Sequence, residues 1–224
     1  MRAPISVVVP TLNAASGLPA CLAALGEGLN EGLIRELIVS DGGSTDVTLQ
    51  IAEAAGAEVV QGPASRGGQL RRGCAAASGD WLLVLHADTV LLPGWAGAVA
   101  GVLGTDRAYW FTQRFDGGGM AARVVSGWAN ARSRLGLPYG DQGLLLRREV
   151  YEAVGGFADM PLMEDVAMAR ALRGRLAGLD AVAETSAEKY RRQGWLRRGG
   201  RNLWTLARYM AGVDPERLAR DYRR

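Results

Sequence analysis

"DWLLVLHADT", residues 80 to 89, runs five apolar residues straight into a polar tetrad that holds His86, the only histidine in the chain, and Asp88. A charge-free run of that length, bounded by polar residues, predicts a strand buried on both faces. Upstream, "ISVVV" (5–9) is of the same kind, and "ELIVS" (36–40) and "AEVV" (57–60) read as two further strands. Between them, "LPACLAALGEGL" places Leu18, Cys21, Leu22 and Leu25 at helical spacing. "STDVTLQIAEAAG" predicts a second helix, with Ser44 or Thr45 as N-cap, Asp46 in its first turn and Gly56 past its end. Residues 66–78 predict a third. Strands alternating with helices of about ten residues imply βαβ units and a parallel sheet.

The second half continues the alternation less regularly. "GWAGAVAGVLG" reads as a helix, "AYWFTQRF" as a strand, residues 120–135 as a long helix, "GLLL" as a short strand and residues 164–173 as a further helix. The end of the chain is helical in character, with Leu203, Leu206, Met210 and Val213 on one stripe. With 224 residues, 48% of them hydrophobic, the chain buries a core as one domain, residues 1–188, with residues 189–224 as a basic helical tail. The tail carries eleven basic residues against three acidic ones, a local +8; since the whole chain is at +3, the first 188 residues sum to −5. Cys21 and Cys74 match no metal or redox spacing and read as two small buried thiols. The apolar run near the N-terminus is too short for a signal segment and no run reaches a membrane span, so a cytoplasmic protein is expected.

In an open parallel sheet, ligands bind where strands end at their carboxyl termini, because loop amides and helix N-termini converge there. Polar residues follow each of the four strands: "PTLN" (10–13), "DGGSTD" (41–46), "GPASRGGQLRRG" (62–73) and "HADT" (86–89). Neither the phosphate-binding G-x-x-x-x-G-K-[ST] loop nor the dinucleotide G-x-G-x-x-G follows the first strand. An ordinary P-loop or dinucleotide fold is thereby excluded.

Four motifs in order, "SVVVPTLN", "LIVSDGGSTDVT", "SRGGQLRRGCAAASGDWLLVLHADT" and "GGFADMPLMEDVAMARAL", resemble those of the inverting family 2 glycosyltransferases with the GT-A fold. The narrower similarity is to a compact bacterial subgroup associated with arsenosugar-type biosynthesis. The resemblance implies an α/β, Rossmann-like three-layer sandwich with a mainly parallel sheet and a helical C-terminal tail. It implies a nucleotide-sugar donor, with a UDP-sugar favoured, and Mn²⁺ or Mg²⁺ on its diphosphate. By position, Asp41 contacts the nucleotide base. Pro10, Thr11, Asn13 and Gly43 line the nucleotide pocket, with Arg66, Gln69 and Arg71 on a flanking helix. Asp88 is the metal ligand, and Asp165 the general base with Glu164 beside it. The chemistry asks for these types on its own terms. A diphosphate leaving an anomeric carbon develops negative charge that cations must stabilise, and a carboxylate must take the proton of the attacking hydroxyl.

Two departures from the family pattern stand out. Ala14 replaces an acidic residue after "PTLN", and His86 replaces the first acid of an Asp-x-Asp pair. For His86 three readings are open: a hydrogen bond to the donor, ligation of the metal, or a structural role at a strand end. Glu164 has the plain alternative of an acid favoured by its helix dipole. The tail has three as well: contact with an anionic membrane surface bearing a lipid-linked acceptor, a lid over the diphosphate, or a helix that packs its stripe and solvates its arginines. The acceptor is accordingly a small molecule or a lipid-linked group, the latter placing the protein at the inner face of the membrane. No recognition motif for a specific nucleic acid accompanies the arginines. The non-enzyme reading is a nucleotide-sugar binding module that has lost its chemistry.

Overall fold

The computed structural model describes residues 3–223. Met1, Arg2, Arg224 and the Arg223 side chain lie outside the described residues, which removes two of the eleven basic residues of the tail from the structural picture. Strands β1 (Ile5–Thr11), β2 (Ile34–Asp41), β3 (Glu58–Gln61) and β4 (Trp81–Val84) alternate with helices α1 (Leu18–Ala24), α2 (Gly26–Asn30), α3 (Thr48–Ala54) and α4 (Arg66–Ala76). They form one parallel half-sheet in which β1 pairs with both β2 and β4. Alternation along β1 sends Ile5, Val7 and Val9 to a core shared with α1 and with α5 (Trp95–Ala100), and Val8 to a second core under α4. β1 and β4 are thus buried on both faces, as a three-layer sandwich requires, whereas the edge strand β3 is not.

The chain continues through β5 (Thr89–Leu91), β6 (Ala108–Phe115), α6 (Gly119–Arg134), β7 (Leu144–Arg147), α7 (Arg148–Ala153), α8 (Glu164–Ala171) and β8 (Leu176–Thr185). The tail folds as α9 (Glu188–Gln193), α10 (Trp195–Met210) and α11 (Pro215–Arg223). The eight strands lie in the order β3-β2-β1-β4-β7-β6-β8-β5. Four of the seven pairings among the described residues are parallel, and β7 runs against both β4 and β6. This reversal places the segment before β7 at the same sheet edge where β1, β2, β4 and β6 end.

Three local expectations differ from the structure. Helix α3 starts at Thr48, behind Val47, because Ser44 and Thr45 are engaged by Asp41 and Asn13 and cap nothing. Asp46 stands ahead of the helix, where it accepts the Thr48 amide and, in a short contact, the Thr48 hydroxyl. β8 was not foreseen: "LAGLDAVAET" is poor in β-branched residues and is held by pairing in register with β6 from Ala108↔Leu176 to Phe115↔Thr185, with one shift. In the tail, Leu206, Tyr209 and Val213 pack on Leu162, Val166 and Leu218, whereas Leu203 and Met210 face outward, so the buried stripe is rotated from the expected one.

Candidate active site

The ends of β1 and β2 are tied together before anything else reaches the site. Pro10 and Thr11 lie opposite Ser40 and Asp41 in the ladder. The Asp41 carboxylate accepts four bonds: Thr11 Oγ1 (2.9 Å) and Ser44 Oγ (2.5 Å) on Oδ1, and the Gly43 and Ser44 amides (both 2.7 Å) on Oδ2. Burial works to raise its pKa, and these bonds outweigh it, holding the carboxyl below its ordinary value. Gly43 takes φ +95°, which frees its amide to turn back onto Asp41. Asn13, itself left-handed at φ 51°, accepts the Thr45 amide at 2.8 Å, and its own amide donates to Ser44 Oγ at 2.8 Å. Gln69 reaches from α4 to donate to the carbonyls of Thr11 (2.6 Å) and Ser40 (3.2 Å).

The Asp41 carboxylate is buried, and its four bonds organise the Gly42–Ser44 turn. Arg71 is not on the flank expected of it. It lines a groove on the far side of α4 with Arg148, Tyr151 and Glu152. Helical spacing puts Arg66, Gln69 and Arg72 on one face and turns Arg71 away. Arg72 faces the sheet, donating to the carbonyls of Pro63 (3.1 Å) and Asp41 (3.4 Å).

Beyond β4, residues far apart in sequence converge. The His86 imidazole lies within the electrostatic reach of Arg66, Asp88, Asp165 and Lys189; burial first, then Arg66, lowers its pKa to about 4, so it is neutral near pH 7. Its Nε2 edge rests on Gly140, where an added Cβ would stand 2.5 Å away. Asp88 accepts Lys189 Nζ of α9 at 3.1 Å. Asp165, in the first turn of α8, accepts the Gly140 amide (2.8 Å) on Oδ2 and the Val166 amide (2.7 Å) on Oδ1. His86, Tyr139, Gly140 and Asp165 share the wall of a cavity of about 30 Å³ beneath the site.

Glu164 is not an exposed helix-dipole acid. It is 1% exposed, neither of its carboxylate oxygens has a hydrogen-bond partner, and Arg66 Nε is 3.8 Å away. Burial, then the neighbouring Asp165, raises its pKa to about 7. A second carboxyl of this kind is Asp141, raised by burial to about 6, with Oδ1 buried and unpartnered. Its backbone carbonyl accepts Thr185 Oγ1 at 3.2 Å. Asp141 and Lys189 escaped the sequence reading. Asp141 sits in "GDQG" on the N-terminal side of β7, and a search for polar residues after strands passes over the segment before a reversed one.

A divalent ion on a diphosphate needs hard oxygen ligands. Among the described residues, no group of three His, Cys, Asp or Glu could hold a metal ion. Asp88 supplies one carboxylate that already faces a cation, the Lys189 ammonium, and His86 Nε2 lies beside Gly140. The donor set fits a cation held by Asp88 together with the oxygens of a bound diphosphate.

Comparison with known proteins gives the chain's family and its structural relatives. Residues 6–157 match the family model described as glycosyl transferase family 2; the match ends before α8, so Glu164 and Asp165 lie outside it. A glycosyltransferase of PGL/p-HBAD biosynthesis from Mycobacterium tuberculosis is 38% identical over 99 residues, which span 41% of this chain and 38% of that protein. Glucosyl-3-phosphoglycerate synthase from M. tuberculosis, solved with Mn²⁺, UDP and glucosyl-3-phosphoglycerate, superposes with TM-score 0.57 at 27% identity, covering 82% of this chain and 70% of that one. S. aureus TarS 1-349 with UDP-GlcNAc shares the fold at TM-score 0.64 and 17% identity, covering 82% and 58%.

Proposed function

The chain belongs to glycosyl transferase family 2, and from that membership we propose that it moves a sugar from a nucleoside diphosphate sugar to an acceptor hydroxyl with inversion. The observation that carries the reading is the convergence of Arg66, His86, Asp88, Asp165 and Lys189 at the sheet edge beside the tied ends of β1 and β2. A UDP-sugar is the favoured donor, in keeping with the UDP and UDP-GlcNAc bound by the two structural relatives.

In this reading the Gly42–Ser44 turn and Asn13 shape the nucleotide pocket, with Gln69 fixing its floor. Asp88 would hold a Mn²⁺ or Mg²⁺ ion, which stabilises the charge developing on the leaving diphosphate. Arg66 and Lys189 add fixed positive charge on the same side. Asp165 takes the proton of the acceptor hydroxyl as its oxygen bonds to the anomeric carbon. The bond from that carbon to the diphosphate oxygen breaks on the opposite face, and the nucleoside diphosphate departs with the electron pair. One displacement gives inversion. The neutral His86 supports the Gly140 turn that holds Asp165, and Glu164, raised to about 7, is about half protonated near pH 7 beside Arg66.

The acceptor we take is a small molecule or a lipid-linked hydroxyl. The narrower tie to the arsenosugar-associated subgroup rests on "HADT" and "GGFADMPLMEDVAMA" alone. The test is a calorimetric titration with UDP, with and without Mn²⁺, followed by donor hydrolysis. Tighter UDP binding with Mn²⁺ and release of UDP from UDP-sugar are expected. Binding without any hydrolysis or transfer would make the chain a nucleotide-sugar binding module.

A further inference from the structure

Eleven large apolar side chains stand exposed among the described residues, and eight of them lie on or at the end of α6 and α10. On α6, Met120 (73% exposed), Val124 and Trp128 (55%) follow each other at i, i+4 and i+8, opposite the buried Ala122, Ser126 and Ser133. On α10, Leu196 (92%), Leu203 and Trp204 (66%) form a similar outward strip, while Thr205 and Leu206 face inward. The two helices begin side by side. Trp195 packs edge-on to Phe115 at 5.1 Å, and its ring is so close to Gly118 that a Cβ there would be 2.3 Å from it. Their apolar strips therefore start from a common end of the molecule.

Charge says what covers this face. Neither helix contains an aspartate or a glutamate, and together they carry seven arginines. Arg132 is buried over Tyr139, Arg208 pairs with Asp221, and Arg198 and Arg201 hold Gln193. Arg123, Arg134 and Arg197 make no ion pair among the described residues and rim the apolar strips. A two-fold contact with a second copy would set that rim against another of the same sign, whereas an anionic bilayer offers hydrocarbon to the strips and phosphate to the rim. Two tryptophans at the apolar-to-charged boundary suit the headgroup region in the same way.

We propose that the α6–α10 face docks on an anionic lipid surface, lying on the bilayer without crossing it. No helix among the described residues is long and apolar enough to cross a membrane. The site stays connected to this face, because α9, which leads directly into α10, places Lys189 on Asp88. The proposal stands apart from the transfer reading, since vesicle binding and UDP binding are measured separately. The experiment is cosedimentation of the full chain with phosphatidylcholine vesicles, with and without phosphatidylglycerol. The wild-type protein should sediment with the anionic vesicles and be released by salt. The Trp128→Ser/Trp204→Ser double variant should lose at least about tenfold in vesicle affinity, and Arg197→Gln about fivefold, each keeping its thermal midpoint and UDP binding. Equal sedimentation with neutral vesicles, or no loss in the double variant, would overturn the proposal. So would a dimer in light scattering that the double variant dissolves, which would make the occupant a second copy.

Discussion

The two sides of the site treat their carboxylates in opposite ways. At the ends of β1 and β2, Asp41 accepts four hydrogen bonds and Asp46 accepts three groups, from Ala15 and Thr48, and both carboxyls are held below their ordinary pKa. Around β7 and α8, Asp141 has a buried oxygen without a partner and Glu164 has two, and both carboxyls are raised. A satisfied network fixes geometry before a ligand arrives, whereas buried groups left open hold a cost that a ligand or a proton relieves. Under the proposed function, the first side would receive the nucleotide and the second would hold the acceptor hydroxyl that gives up its proton.

The sharpest way to break that contrast is Asp165→Asn. It should lower transfer about a thousandfold while leaving UDP affinity within about twofold, because the general base acts only in the chemical step; retained turnover in a single-turnover assay would move the base elsewhere. Next comes Asp41→Asn, which sets an amide donor against the Gly43 and Ser44 amides and should cost about 2–3 kcal/mol in chemical denaturation. The Asp41 pKa is lowered in the fold, so its stabilisation is present above 3.8 and lost as pH falls through the folded value. The variant's deficit should therefore shrink on acidification; a deficit independent of pH would separate the loop geometry from the charge.

Glu164→Gln tests the other side and has the smallest effect. Here the folded pKa is raised, so the contribution is fully present below the unfolded value of 4.5 and is lost as pH rises toward about 7. The wild-type thermal midpoint should fall across that window more steeply than the variant's. Superimposable profiles would show that Glu164 has a partner in solution.

How much of this was legible in the sequence follows the same division. The β1–β2 side is written in local terms: apolar runs give the parallel strands, and each is followed within a few residues by its polar group, so the places of Thr11, Asn13, Asp41 and Asp88 at the strand ends are read by position. What local reading missed is pairing and direction. The filled state of Asp41 depends on Thr11, thirty residues away, and Arg71 was separated from Arg72 only by the phase of α4 against the sheet. Asp141 and Lys189 belong to segments that reach the site through the reversal of β7 and the return of the tail, which no spacing along the chain records.

The reversal of β7 also divides the molecule along its length. The network that ties the ends of β1 and β2 lies before Asp80, while the stretch between α6 and β7 enters the site from the opposite direction and is fastened there by contacts at Gly140 and Gln142. That stretch is knitted into its surroundings: Gln142 accepts Ser133 Oγ and donates to the Phe111 carbonyl, so a change in its length would draw the Gly140 amide away from Asp165 while leaving the register of β1, β2 and β4 in place.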